Sequence, residues 1–230
     1  MTSGTTAIQA VRNVTDTVPI VMAGGGDPVA SGLVKSLSRP GGNITGVSLL
    51  GQELVPKGFS LLREVVPRAK RIDLMANAAN PANAFFGRLT SEAGLALGVE
   101  SRLLEVRRPE DLEPAITSMQ ADALLALADP MFGLHARRIA DIAIKRRLPL
   151  ASYGRAYVEA GYLMSYAVSF PDVFRKAAEY ADRILQGANP AQLPIEQPAR
   201  YELLFNLKTA RALRLTIPQS LLQRADHIFE

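Results

Sequence analysis

The sequence predicts an α/β fold with a largely parallel sheet, and three observations support this. Short runs rich in Val, Ile, Leu and Ala alternate with segments whose apolar residues recur every three or four positions, the pattern of βαβ units. Apolar residues make up 48% of the 230 residues, enough for the core of one large domain or two smaller lobes. Three strand-like runs end in an Asn-Pro or Asp-Pro turn, which is a favourable start for a helix. Strands and helices should therefore alternate along the chain.

The predicted elements follow in that alternating order. Strands are expected at 19–23, 44–48, 71–76, 99–105, 122–127, 148–152, 162–165 and 202–206. Helices are expected at 28–38, 53–65, 81–97, 110–119, 131–146, 171–186, 207–213 and 218–224. The clearest helix is 171–186, because Pro171 begins it, apolar residues line one face and Gly187 follows it. We expect 67–165 to form one complete α/β lobe with about five parallel strands, since its loops are short.

The charge pattern favours solvated helix ends over a nucleic-acid surface. The formal net charge is +4 and the isoelectric point is about 9.5. The basic residues are scattered, however, and no aromatic residues are interleaved with them. The chain has no Cys, which excludes disulfides and thiolate catalysis. The sequence given also contains no apolar run typical of a signal peptide or a membrane span. We expect no nucleic-acid partner.

The glycine-rich stretch PIVMAGGGDPVASGLVKSL, residues 19–37, resembles a phosphate-binding turn only superficially. A dinucleotide fingerprint needs a third glycine where Val29 stands after Gly24 and Gly26. A Walker-type loop needs Gly-Lys-Ser or Gly-Lys-Thr, and this turn continues into Asp27-Pro28. A carboxylate at that position would cap the helix and repel a phosphate. Phosphate binding is therefore not expected here.

The Asx-Pro turns indicate a different kind of site. They occur at Asp27-Pro28, Asn80-Pro81 and Asp129-Pro130, each after a predicted strand. Open α/β sheets bind ligands at the carboxyl ends of their strands, and the small residues before two of these turns would allow close approach to the backbone. Helix capping alone also explains each turn, so both interpretations stay open. The polar side chains available to a small ligand are Asp27, Asn77, Asn80, Asn83 and Asp129.

The sequence shows none of the catalytic patterns considered. His135 and His227 have no Cys, nucleophilic Ser or metal-ligand pattern around them. The chain contains neither a G-x-S-x-G elbow nor a Tyr-x-x-x-Lys pair, and its clustered carboxylates at 110–113 fit the start of a helix. We therefore expect no enzymatic activity, no cofactor and no metal site.

Five stretches carry a resemblance to a known family: PIVMAGGGDPVASGLVKSLSRPGGNITGVS, IDLMANAANPAN, ADALLALADP, GYLMSY and the segment from Ala178 to Asp226. Together they resemble the substrate-binding proteins of bacterial ABC importers. More narrowly, the chain is similar to the group that takes up tryptophan and other aromatic amino acids. The last segment is the most specific, because capping rules alone would not generate its order.

The resemblance implies the fold of periplasmic binding proteins, with two α/β lobes, mainly parallel sheets and a hinge. The first lobe would comprise 1–47 and 167–230, and the second would comprise 48–166. The lobes would close on a small solute in the cleft between them, and the closed form would meet an ABC permease in the periplasm. The implied solute is an amino acid, with aromatic amino acids among the candidates, or a related small molecule. The implied ligand-binding residues are Gly25, Gly26, Asp27, Ser48, Asn77, Asn80, Asn83, Asp129, Tyr153, Ser165 and Tyr166.

The chain departs from the family pattern at its front. Members of the family begin with a signal peptide and two or three further βα units, so we expect the first lobe to be incomplete. We then expect either that two copies associate through this lobe as a homodimer or that the chain behaves poorly in solution. An alternative function is the ligand-sensing domain of a regulator or receptor with the same clamp fold, which a DNA-binding or signalling segment upstream would reveal. A nucleotide- or sugar-dependent α/β enzyme is a second alternative, but it would need a basic or metal-binding cluster at the strand ends.

Overall fold

In the computed structural model the chain forms two α/β units, each built from two separate stretches of sequence. Unit 1 comprises Met1–Gly51 and Val168–Arg200, and unit 2 comprises Gln52–Ala167 and Tyr201–Glu230. The structure describes residues 1–49, 51–80, 83, 86–198 and 200–230, with only the backbone at 51–53. None of the described helices has both the length and the apolar character that a membrane span requires.

The elements alternate along the chain as the sequence predicts. The strands are β1 (Ile20–Ala23), β2 (Ile44–Val47), β3 (Ile72–Asn77), β4 (Leu103–Val106), β5 (Ala123–Ala126), β6 (Leu150–Ser152), β7 (Met164–Val168), β8 (Tyr201–Asn206) and β9 (His227–Phe229). The helices are α1 (Thr5–Arg12), α2 (Gly51–Val65), α3 (Phe86–Leu97), α4 (Leu112–Ser118), α5 (Pro130–Leu134), α6 (Ala136–Lys145), α7 (Arg155–Glu159), α8 (Phe170–Leu185), α9 (Leu207–Leu213) and α10 (Gln219–Leu222).

A sheet in the order β4-β3-β5-β6-β7-β8-β9 forms the centre of unit 2. Strands β3 to β7 run parallel, as predicted for 67–165. The neighbours Leu124 and Leu125 on β5 belong to different core clusters, because successive side chains of a strand point to opposite faces. Helices therefore cover both faces, and the carboxyl ends of β3, β5, β6 and β7 lie at one edge of the sheet.

Unit 1 contains a parallel pair of strands in which Ile20 of β1 is aligned with Ile44 of β2. Thr2 lies on the other side of β1, where its backbone bonds to Val21 and Ala23 at 2.9 and 2.8 Å. Helix α8 packs on one face of this pair through Ala177 and Tyr180, and Ile8 of α1 lies with the core of the other face. The strands approach so closely that a Cβ at Gly46 would lie 2.4 Å from Met22 O.

The predicted helix at 28–38 is wrong, and the chain forms consecutive turns there. Asp27 does cap the first turn, because its Oδ1 accepts from the amides of Val29 and Ala30 at 2.9 and 3.0 Å. Gly32 then adopts φ +68°, and the amides of both Leu33 and Val34 return to Pro28 O. A residue with positive φ interrupts a right-handed helix. Leu33 and Val34, which follow Gly32, are still buried in the core of unit 1, but they lie in turns and not in a helix.

The division into units also differs from the prediction, which assigned 201–230 to the first lobe. Strand β8 lies beside β7 in the sheet of unit 2, and the Asn206 amide donates to Leu163 O at 2.9 Å. Because Asn206 ends β8 and Leu163 precedes β7, the two strands run antiparallel. Strand β9, helix α1 and helix α7 were not predicted; each is a short segment of three to eight residues.

Candidate functional site

Four polar side chains gather at the carboxyl edge of the sheet in unit 2, and we call them the Asn–Asp cluster: Asn77, Asn80, Asn83 and Asp129. Asn77 ends β3, and Asp129 follows the adjacent strand β5. Asn77 Nδ2 donates to Asp129 Oδ1 at 3.0 Å, and Asn80 Nδ2 donates to Asp129 Oδ2 at 3.2 Å. Asn83 Nδ2 donates to the backbone oxygen of Asn77 at 3.0 Å. Two loops that are distant in sequence thus meet at one carboxylate.

The loop after β3 is shaped by its own asparagines. Asn77 Oδ1 accepts from the Ala79 amide at 2.9 Å, an Asx turn that directs the Nδ2 group of Asn77 toward Asp129. The amide of Asn80 donates to Asn77 O at 3.1 Å, which closes a second turn. The sequence ANAAN therefore folds locally so that side-chain amides face the neighbouring loop. Pro81 lies outside the described residues.

The loop after β5 buries the Asp129 carboxylate as a helix cap. Asp129 is 5% exposed, and its Oδ1 accepts from the Met131 amide at 2.9 Å, at the start of α5. The capping interpretation is therefore correct for this residue, and the cap is also part of a wider polar cluster. Tyr157 supports it from α7: the Tyr157 hydroxyl donates to Asp129 O at 3.2 Å and accepts from the Asp129 amide at 3.3 Å.

Tyr157 was not predicted as a site residue, although it holds the backbone of Asp129. Burial raises the pKa of the Tyr157 phenol, so the hydroxyl remains protonated near neutral pH. The contact joins residues 28 positions apart. No local pattern in the sequence signals such a pairing, since it depends on how α7 packs against the loop after β5.

In unit 1 the predicted site residues surround the carboxyl ends of β1 and β2. The Gly26 amide donates to Thr5 Oγ1 at 2.9 Å. A Cβ at Gly25 would lie 2.7 Å from Ile8 Cδ1, so the end of the Ile8 side chain would have to shift. Among the described residues, the Asp27 carboxylate accepts hydrogen bonds only from two amides of its own turn. Ser48 is buried, and its hydroxyl has no partner in the described part of the chain. Ligand binding by these residues stays a prediction.

The remaining predicted residues of unit 2 lie in or beside its core. Tyr153 is 6% exposed, and its hydroxyl has no partner among the described residues; this burial raises its pKa well above the ordinary value. Ser165 Oγ accepts from the Gly154 amide at 2.7 Å. Tyr166 stacks on Tyr201, with ring centroids 5.4 Å apart and an interplanar angle of 16°. Tyr153 is thus part of the core and Ser165 and Tyr166 make structural contacts, and ligand binding by these three residues stays a prediction.

Lys57 adds a positive charge beside this aromatic pair, with its Nζ 5.9 Å from the centroid of the Tyr166 ring. Neither Lys57 nor Tyr201 was predicted from the sequence. Both lie far from Tyr166 along the chain, on α2 and β8. They come together because β8 lies beside β7 in the sheet and α2 packs on the face of that sheet.

A separate cavity of about 450 Å³ lies in unit 2, lined by residues that include Arg137, Lys208 and Phe229. It lies beside the end of the antiparallel strand β8, and thus away from the edge that holds the Asn–Asp cluster. Two of its polar side chains are already bonded: Asn206 Nδ2 donates to Val158 O and Thr209 Oγ1 donates to Gly161 O. These two donors are therefore not available to a ligand in the cavity.

The fold and the sequence match those of known proteins. Residues 1–229 match a family model described as ABC transporter substrate binding protein. The chain belongs to this family. No group of three or more His, Asp or Glu side chains that could hold a metal occurs within the described residues. The family consists of proteins that bind and deliver solutes, in agreement with the resemblance noted above.

Three relatives of this substrate-binding protein are informative. A Tyrosine-binding protein of Clostridioides difficile is 26% identical over 223 residues, covering 91% of this chain and 61% of that protein. A conserved domain protein of Vibrio cholerae has a TM-score of 0.92 at 27% identity, covering 98% of this chain and 76% of that one. An ABC domain from Streptococcus pneumonia in complex with L-Trp has a TM-score of 0.89 at 26% identity, covering 99% of this chain and 77% of that one. The chain thus spans less than two thirds of the curated relative.

Proposed function

We propose that this chain is the solute-binding component of an ABC importer and that it binds its solute through the Asn–Asp cluster without chemical transformation. One observation carries the proposal: side-chain amides and a buried carboxylate from two loops converge at the carboxyl ends of β3 and β5. Ligands of parallel α/β sheets bind at this edge. The cluster offers hydrogen-bonding groups but no activated nucleophile, as binding without catalysis requires.

We propose an amino acid as the solute, with an aromatic side chain as the first choice. The names of two relatives support this choice, one being called a Tyrosine-binding protein and the other being in complex with L-Trp. In addition to the cluster, the proposed ligand-binding residues are Gly25, Gly26, Asp27, Ser48, Tyr153, Ser165 and Tyr166. Family membership supports a periplasmic location, an ABC permease as partner and closure of the protein on its solute.

We also propose that two copies associate through unit 1. The support is its exposed apolar side chains, among them Val14 at 83% and Leu185 at 87% exposure. Exposed apolar patches promote association. Light scattering at several protein concentrations tests this directly: a mass that stays at 24.8 kDa throughout would exclude the homodimer.

A calorimetric screen of the twenty amino acids tests the proposed function. We expect saturable binding of at least one aromatic amino acid, and about 10-fold weaker binding in Asn80→Ala because a hydrogen bond at the site is lost. Asn189→Ala is a matched control: Asn189 also precedes a proline and caps a turn, with its Oδ1 accepting from the Ala191 amide at 3.0 Å, but it lies in unit 1. Absence of binding by every amino acid, or equal weakening in both variants, would contradict the proposal.

A further inference from the structure

The Asp129 carboxylate is a buried negative charge whose three bonded partners are neutral. Asn77 Nδ2, Asn80 Nδ2 and the Met131 amide donate to it. No Lys, Arg or His within the described part of the chain forms an ion pair with it, whereas the other buried aspartate of unit 2, Asp73, pairs with Arg71 at 2.8 Å. A buried carboxylate without a counter-ion is unusual, because removing the charge from water is costly.

The two carboxylate oxygens of Asp129 also accept different numbers of hydrogen bonds. A carboxylate can accept about four hydrogen bonds, two at each oxygen. Oδ1 accepts two, from Asn77 Nδ2 at 3.0 Å and from the Met131 amide at 2.9 Å. Oδ2 accepts one, from Asn80 Nδ2 at 3.2 Å. One acceptor position therefore remains at Oδ2, next to the partly exposed side chain of Asn80.

The geometry fixes which kind of group completes the site. Asn77 cannot turn its oxygen toward Asp129 without losing the bond from the Ala79 amide, so it presents a donor to the carboxylate. Within the described residues, every group bonded to the Asp129 carboxylate is thus a donor, and its negative charge repels a carboxylate or phosphate. A cationic donor such as an ammonium group supplies both the missing hydrogen bond and the missing charge.

We propose that the Asn–Asp cluster binds the ammonium group of an amine-bearing solute, with Asp129 Oδ2 as the acceptor. This inference rests on the proposed function and makes it more specific. Asp129 becomes the residue that determines which solutes bind, and Asn77 and Asn80 hold its carboxylate in place. Solutes of the same shape that lack an ammonium group are rejected at this point, whatever the rest of the site recognises.

Calorimetry on matched solutes tests the proposal with the full chain. The probes are L-Trp, L-Tyr and L-Phe, their carboxylate-free amines tryptamine, tyramine and phenethylamine, and their amine-free acids such as indole-3-propionate and 3-phenylpropionate. We expect the acids to bind at least about 10-fold more weakly than the corresponding amino acids. Equal binding of acid and amino acid would overturn the proposal while leaving solute binding intact. Absence of binding by all the amino acids would overturn the proposed function and the ammonium site together.

The variant Asp129→Asn removes the charge with little change in shape. We expect it to bind the amino acid about 10- to 100-fold more weakly and to lose its preference over the amine-free acid. Asp141→Asn is the control, since it removes an exposed charge of the same unit that pairs with Arg137 at 3.3 Å. An undiminished preference in a folded Asp129→Asn would overturn the assignment to Asp129. The comparison of solutes on the unaltered protein needs no variant, so it decides the question even if Asp129→Asn does not fold.

Discussion

The turns after β5 and after β1 share an Asp-Pro sequence but have different surroundings. Asp129 is 5% exposed and accepts from two asparagine side chains of the loop after β3 as well as from its own turn. Asp27 is partly exposed and accepts from the amides of Val29 and Ala30 in its own turn. Asp129 thus joins a polar cluster between two loops, whereas Asp27 caps only its own turn.

The difference comes from what stands at the end of the adjacent strand. β5 lies beside β3, which ends in Asn77, so two polar loops meet. β1 lies beside β2, after which comes Ser48 with a short hydroxyl side chain. A capping motif is thus encoded locally, whereas a polar cluster between two loops needs polar residues at the ends of strands that become neighbours. Four substitutions test this account, in decreasing order of expected effect.

Asp129→Ala is expected to have the largest effect. It removes a cap and leaves the side-chain amides of Asn77 and Asn80 without their acceptor, so the free energy of unfolding should fall by about 3 kcal/mol. Solute affinity should fall about 10- to 100-fold. Urea unfolding followed by circular dichroism measures the first quantity and calorimetry the second. A loss of stability no greater than that of Asp27→Ala would remove the distinction between the two turns.

Asn77→Ala should come next. The variant loses a donor to Asp129 and the acceptor of the Ala79 amide, so we expect a loss of about 2 kcal/mol in urea unfolding. Asn189→Ala serves as the control, because it removes one cap bond on the surface of unit 1, which is worth about 0.5–1 kcal/mol. Equal losses would mean that the contact between the two loops adds no stability beyond the local turn.

Tyr157→Phe should cost about 1 kcal/mol at neutral pH, since the backbone of Asp129 loses its hydroxyl partner. The effect should also depend on pH. Burial raises the pKa of Tyr157 in the folded protein above its unfolded value of about 10. The contribution of the hydroxyl is therefore complete below about pH 10 and is lost as pH rises further, because the unfolded chain then loses the proton first. Unfolding curves of both proteins at pH 7 and pH 10.5 measure it, and an advantage of Tyr over Phe that grows with pH would contradict this assignment.

Asp27→Ala should have the smallest effect on stability, about 0.5–1 kcal/mol, because the cap is partly exposed and no helix follows it. Asp27→Asn should recover most of the loss, since an asparagine oxygen can accept from the same amides. The sequence also predicts Asp27 as a ligand-binding residue. Calorimetry on the same variant tests that separately: a drop in solute affinity as large as that of Asp129→Ala would extend the binding site to unit 1.

The sequence predicts most of the fold because strands and their following turns are locally encoded. Val21 and Met22 of β1 pack on opposite faces of the strand pair, as expected for a strand. Asp129-Pro130 begins a helix, as expected for an Asp cap followed by proline. The helix expected at 28–38 does not form, because Gly32 adopts a positive φ. The spacing of the apolar residues around Gly32 does not signal this conformation. Pairing of Asp129 with Asn77, and of Asp129 with Tyr157, depends on strand order and helix packing. Such contacts between distant residues leave no periodic signal in one sequence.

The central claim is that the Asn–Asp cluster binds the solute, and its side-chain amide signals report on this most directly. A ¹⁵N-labelled full chain titrated with an aromatic amino acid should show saturable shifts of the Asn77 and Asn80 side-chain amides and of the Met131 backbone amide. These three groups donate to Asp129, so an ammonium group at Oδ2 must perturb them together. Asn189, which caps a turn in unit 1, is the internal reference and should not shift. Saturable shifts elsewhere in the chain with all three groups unchanged would contradict the account.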